Sequence, residues 1–226
     1  MIDRRGSSSL VVLLLALSFL LGHPVSQLLP QNAAETGKQK PVDIPQTKQE
    51  AFEDITLKPG DEAPTFALQD FSGNYELLTK WSGVQLSRPA SQPVRHVVVV
   101  SFFATWCAPC VKELPHLQDL YEKYQGKEVK FFLIDITEAT RSVIGNENSP
   151  KAGPFLRNRG ITMPILLDLY GKAMERYVPS KLLPRLFVID KYRKIKLIMR
   201  GFRGEEDFEG ELSAVIDELL AEKVDE

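Results

Sequence analysis

Cysteine and histidine are both scarce in this sequence, and each scarcity removes a class of function. The 226 residues hold two cysteines, Cys107 and Cys110. A secreted scaffold stapled by disulfides would spread several cysteines along the chain. Here nothing but this one local pair can form an intramolecular disulfide, so redox chemistry is confined to it. The histidines are His23, His96 and His116. A zinc site takes about four ligands, and with no second cysteine pair the chain is short of donors. An excess of one charge is missing too: 28 Lys and Arg face 30 Asp and Glu, a net charge of −2. That balance gives no global attraction to nucleic acid or anionic lipid, and no nucleic-acid partner is expected. Internal repeats are absent. With 43% hydrophobic and 26% charged residues, most of the chain should fold as one ordinary domain with appendages.

The first appendage is N-terminal. Arg4 and Arg5 precede an apolar run, Leu10 to Leu21, broken only by Ser18, the layout of a charged region followed by the hydrophobic core of an export signal. The stretch from Gly6 to Ala34 contains no Lys, Arg, Asp or Glu and is long enough to cross a bilayer core of about 30 Å. Gly22 to Ser26 fit a small-x-small cleavage pattern poorly. Residues 1–29 are therefore expected to be an uncleaved signal anchor, with a cleaved signal as the alternative. The arginines would remain in the cytoplasm and the rest of the chain would lie outside it, which, with the family resemblance described below, implies the periplasmic side of a bacterial cell membrane. Residues 30–60, rich in Gln, Lys, Glu, Pro and Ala, lack any apolar period and read as a tether.

A folded domain is expected over 61–226. Phe66 to Asp70 and Tyr75 to Leu78 flank the turn Phe71-Ser72-Gly73-Asn74, a hairpin pattern. Ser82 to Arg95 reads as a surface loop. Val97 to Phe103 is an unbroken β-branched and aromatic run, suited to a central strand buried on both faces. Val111, Leu114, Leu117, Leu120, Tyr121 and Tyr124 then recur at helical spacing, with Pro115 inside the helix. Further strands are expected over Val129 to Thr137, Arg185 to Asp190 and Lys194 to Arg200. Short helices are expected near Lys151 to Gly160 and Met174 to Val178, and a closing helix over Phe208 to Leu220. Strands alternating with helices imply an α/β fold with a sheet of mixed direction.

The cysteines fall where that central strand gives way to the helix. Residues three apart on a helix lie about 5–6 Å apart at Cβ, and a disulfide prefers roughly 3.5–4.5 Å, so a small adjustment of the first turn closes or opens the bond. Unpaired N–H groups and the positive end of the helix dipole stabilise a thiolate at Cys107. Cys107 is thus expected to be the exposed nucleophile, and Cys110, deeper in the helix, the resolving thiol. Pro109 suits the first turn, where a missing N–H costs nothing, and Trp106 supplies an apolar shelf. The bland readings are weaker. A structural disulfide across so short a loop would stabilise little, and a metal site lacks ligands, so no metal and no cofactor is expected.

Three motifs in order resemble the thioredoxin superfamily. They are Ala63-Pro64-Thr65-Phe66; Phe103-Ala104-Thr105-Trp106-Cys107-Ala108-Pro109-Cys110 with Lys112, Glu113 and Pro115; and Leu183-Pro184 before Phe187-Val188-Ile189-Asp190. Within it they resemble the membrane-anchored TlpA/ResA-like thiol–disulfide oxidoreductases, over about Asp61 to Leu220. The resemblance implies a thioredoxin-like fold, a mixed central sheet flanked by helices with an N-terminal β-hairpin addition. It implies that Leu183 and Pro184, the latter a cis-proline, line a substrate groove with Trp106 and Pro109, and that Glu138, at a strand end, moves a proton to or from Cys110. Two departures stand out. Where cytoplasmic thioredoxins carry a buried Asp, this chain has Ser101, which puts more weight on Glu138. After Pro184 the branch usually has a small polar residue; Arg185 there either meets an acidic partner or, as the favoured expectation, points into solvent.

Strong oxidants of the superfamily often carry His before the second cysteine, and this chain has Pro109. A reductant of disulfides in exported proteins is therefore expected, with apocytochromes c as candidate substrates and a membrane thiol-reductant transporter as electron donor. The rivals are a peroxide reductase, which would want Thr or Ser where Ala104 stands, and a copper-delivery or redox-linked metal-binding protein, for which the cysteine spacing is too narrow and His116 poorly placed.

Overall fold

The computed structural model describes residues 57–87, 94–202 and 204–223. The expected anchor, most of the expected tether and the middle of the 82–95 loop lie outside these. Among the described residues no helix is long and apolar enough to cross a membrane.

The sheet is built on one strand. In β3 (Val97–Phe103) all seven residues are buried, because β-branched and aromatic side chains on alternate faces meet a helical layer on each side. It pairs in parallel with β4 (Val129–Asp135) and antiparallel with β6 (Arg185–Ile189). Outward from β4 run the short β5 (Ile165–Leu167), parallel to it, and the hairpin of β1 (Ala67–Gln69) and β2 (Tyr75–Leu77). Outward from β6 runs β7 (Ile195–Arg200), giving the order β2-β1-β5-β4-β3-β6-β7. The chain joins the β7 edge at Gly60, whose N–H donates to the Ile195 carbonyl at 2.7 Å.

Helix α1 (Ala108–Lys123) carries β3 back to β4 and buries Cys110, Glu113, Leu114, Leu117, Gln118 and Leu120. Gln118 ties it to the chain before β5, accepting from the N–H groups of Thr162 (2.9 Å) and Met163 (3.2 Å). The closing helix α4 (Glu205–Ala221) packs beside α1. Helix α2 (Ala152–Arg157) sets Phe155 against Phe103, ring centroids 6.2 Å apart, on the side of β3 that faces α1. On the opposite face lies α3 (Lys172–Tyr177), bringing Tyr177 onto Phe102 and Phe187, ring centroids 5.4 and 5.0 Å away. Asp168 starts α3, its carboxylate accepting from the N–H groups of Lys172 and Met174 at 2.8 Å each.

Most elements lie where hydrophobic periodicity puts them. The exception is β5. Three residues between Pro164 and Asp168 are too few to show a period of 2, so no strand was expected there, and only pairing to Leu133, Ile134 and Asp135 makes one. Strand β4 stops at Asp135, two residues short of expectation, because Thr137 turns back to bond that carboxylate.

If β3 is the element on which both layers close, Phe102→Ala should cost about 3–5 kcal/mol. Equilibrium denaturation checks this, and a loss below about 1 kcal/mol would contradict it.

Candidate active site

Cys107 ends the turn after β3 in extended backbone (φ −84°, ψ 97°) and caps α1. Its Sγ accepts a hydrogen bond from the Cys110 N–H at 3.2 Å, so an otherwise unpartnered donor of the first turn is spent on sulfur. The two cysteines are joined in a disulfide with Cα atoms 5.2 Å apart, inside the range such a bridge accepts. Pro109 lies in the first turn of α1. One expectation needs correcting. Cys107 is not broadly exposed: it is 4% accessible against 2% for Cys110, and both belong to the buried core.

The turn is pinned from the β4 side. The Thr105 N–H donates to Thr137 Oγ1 (3.0 Å), and the Thr137 hydroxyl in turn donates to Asp135. Thr105 Oγ1 donates to the Pro150 carbonyl (2.8 Å), and Trp106 Nε1 to Thr140 Oγ1 (2.8 Å). Trp106 is thereby held half-buried beside the sulfurs. Burial pushes the Asp135 carboxyl up to about 6, against the pull of its bonds from Thr137.

On the other flank, the peptide between Leu183 and Pro184 is cis. Antiparallel pairing of Phe102 with Arg185 sets Pro184 level with Phe103, at the sheet end where the cysteine turn begins. Leu183 is partly buried against the core.

The residue that sequence reasoning missed is Glu113. It sits one helical turn beyond Cys110, on the same buried face, and is 2% exposed. Ser101, where a buried Asp was noted as absent, donates its hydroxyl to Glu113 Oε1 at 2.9 Å. The carboxyl is present after all, delivered from the helix instead of the strand. Burial pushes it up to about 8, so at neutral pH it is mostly a neutral acid. The signal was available: a Glu at position i+3 from Cys110 falls on the apolar face of α1, where an unpaired carboxylate is costly.

Glu138 is placed differently from its expected role. It lies in a single 3₁₀ turn after β4 (Glu138–Thr140), its side chain 40% exposed, and Arg141 grips it with two 2.7 Å bonds. That guanidinium holds its carboxyl below the usual range. The same Arg141 bonds the carbonyls of Glu147 (3.0 Å) and Ser149 (2.9 Å), next to the Pro150 carbonyl that anchors Thr105. The pair organises a loop. Arg185 also departs from expectation: it is 7% exposed and does not point into solvent.

The AhpC/TSA family profile matches residues 59–198. The chain belongs to that family. Over 156 residues it is 30% identical to the thiol-disulfide oxidoreductase ResA of Geobacillus thermodenitrificans, covering 69% of this chain and 77% of the relative. The Bacillus subtilis ResA is 25% identical over 65% of this chain and 69% of its own length. Among solved structures, a Chlorobium tepidum protein assigned as the thiol:disulfide interchange protein DsbE matches with a TM-score of 0.55 and 26% identity, covering 71% of this chain and 99% of the other. A Bacteroides thetaiotaomicron protein assigned as a protein disulfide isomerase matches with a TM-score of 0.57 at the same identity, covering 74% and 92%. This member of the AhpC/TSA family is thus a thioredoxin-like thiol–disulfide oxidoreductase. Ala104, fully buried, leaves no hydroxyl three positions before Cys107.

The buried acid makes a thermodynamic prediction. Folded Glu113 keeps its proton up to about pH 8, whereas its ordinary pKa is 4.5. Across that window the unfolded chain binds fewer protons than the folded one, so wild-type stability falls as pH rises. Glu113→Gln cannot ionise. Its melting temperature relative to wild type should climb from about pH 5 to about pH 8; a constant gap would mean that Glu113 titrates normally.

Proposed function

We propose that the protein is a membrane-anchored reductant facing the periplasm, which delivers electrons through Cys107 and Cys110 to disulfides of exported proteins. The observation that carries the reductive reading is the electrostatics around Cys107. A couple is strongly oxidising when its reduced thiolate is over-stabilised. Here a helix N-terminus favours the thiolate, but Pro109 supplies no imidazolium. One turn below, Glu113 adds negative charge if it ionises, which disfavours a second anion.

In the forward reaction the Cys107 thiolate attacks one sulfur of the substrate disulfide. The other substrate sulfur leaves as a thiolate, and a mixed disulfide forms on Cys107. The fraction of Glu113 that is ionised takes the proton of the Cys110 thiol. The Cys110 thiolate then attacks Cys107 Sγ, expels the second substrate thiolate and closes the intramolecular disulfide. Two electrons have passed to the substrate. On re-reduction a donor thiolate attacks Cys107 and the neutral Glu113 acid protonates the leaving Cys110 sulfur. Its carboxyl, raised toward neutrality, suits both directions better than Glu138, which Arg141 keeps ionised.

Trp106, Pro109, Leu183 and Pro184 are the surface on which the substrate chain lies. Apocytochromes c are the proposed substrates and a membrane thiol transporter the proposed donor. The readings of 1–29 as anchor and 30–60 as tether support this location, since they would hold the 61–226 domain close to such a donor.

Cys110→Ser should accumulate mixed disulfides with exported cysteine-containing proteins, and the additional change Cys107→Ser should abolish them; mass spectrometry of the trapped species identifies the substrates. The reduction potential should lie near the roughly −270 mV of thioredoxin, and a value near the roughly −120 mV of strong oxidants would overturn the reductive assignment. Glu113→Gln should slow exchange by about 10²-fold near neutrality and remove the ionisation near pH 8 from the rate profile, whereas Glu138→Gln should change the rate less than about 3-fold.

A further inference from the structure

Arg185 follows the cis-proline directly and is a buried charge with no acidic partner among the described residues. It is 7% exposed, and its Nε is buried with no hydrogen-bond partner. Buried Lys191 meets Glu128 at 3.2 Å, and half-buried Arg193, whose Nε is also unpartnered, still has its guanidinium on Glu62. Among the described residues no carboxylate lies within ion-pair range of Arg185.

Its nearest charged neighbour makes matters worse. Arg185 stands directly opposite Arg200 across the β6–β7 ladder, and like charges facing each other on adjacent strands repel. Burial, and then the Arg200 guanidinium, disfavour the charged form of Arg185. An arginine cannot relieve this by losing its proton. A largely buried arginine with an unpartnered Nε, opposite a second arginine, is an arrangement that a carboxylate would relieve, through a planar two-pronged contact suited to that group.

The place identifies which carboxylate. Register puts Arg185 against Phe102, one residue from the end of the strand that leads into the cysteine turn. Gly201, next to Arg200, donates its N–H to the Pro184 carbonyl at 3.0 Å. The backbones of both arginines therefore flank the peptide bond proposed to receive the substrate chain. We propose that Arg185, with Arg200, forms a carboxylate-binding subsite that selects disulfide substrates carrying an acidic side chain beside the target cysteine. This deepens the oxidoreductase reading and rests on it.

The test uses the reduced full-length protein and two end-blocked peptides, each with one cysteine joined to a neutral 2-thiopyridyl leaving group. The residues flanking that cysteine are Glu in one peptide and Gln in the other, so release of 2-thiopyridone reports recognition with identical chemistry. Wild type should react with the Glu peptide about 10-fold faster at low ionic strength, the gain of a charge-assisted contact, and the ratio should shrink with added salt. Arg185→Gln should bring the ratio near one whatever happens to the absolute rates, Arg185→Lys should keep part of it, and Arg200→Gln should reduce it. A wild-type ratio near one overturns the subsite without recourse to any variant, as does a ratio that Arg185→Gln leaves intact. Failure of the protein to react with either peptide would overturn the oxidoreductase reading itself and the subsite with it.

Discussion

Strand β3 is buried along its whole length on both faces, and the site depends on that constraint. A strand with no solvent-facing side cannot slip by one residue without turning every side chain toward the wrong layer. Its register therefore sets, in the same stroke, which residue faces α1 and which faces α3. Ser101 meets Glu113 on one side and Phe102 meets Tyr177 on the other. Four residues past the strand, Cys107 stops the chain at the start of α1. The position of the sulfur is thus inherited from hydrophobic packing well away from it.

Three buried ionisable groups surround this strand end, and each meets the cost of burial in its own way. Glu113 stays neutral, with one bond from Ser101, and so stores a proton one helical turn from Cys110. Asp135 is met by the hydroxyl and N–H of Thr137, and through that hydroxyl it fixes the Thr105 amide at the cysteine turn. Arg185 has no acid among the described residues. Concentration of such groups at one end of a sheet is uncommon in a purely structural core and typical of reactive sites.

Much of this was legible in advance. The valine run, the spacing of Leu114, Leu117 and Leu120, and the strand–cysteine–helix order needed only the periods of strand and helix. What escaped was of a different kind. Three residues of β5 carry no period. Glu113 was legible as part of a motif but not as an acid of raised pKa, because the sequence shows neither its 2% exposure nor the hydroxyl of Ser101, twelve positions earlier, that receives it. Glu138 looked like a proton carrier until Arg141 was seen to clamp it.

Sequence alone determined that the redox chemistry belongs to Cys107 and Cys110 and that the sulfur pair opens a helix, since local spacing and composition carry both. Only the tertiary structure decided how acidic the groups around that pair are. A pKa follows from burial and from partners that the fold brings in from elsewhere in the chain: Ser101 to Glu113 between strand and helix, Arg200 to Arg185 across a ladder. Those partners are set by register and packing, and no local pattern of residues encodes them.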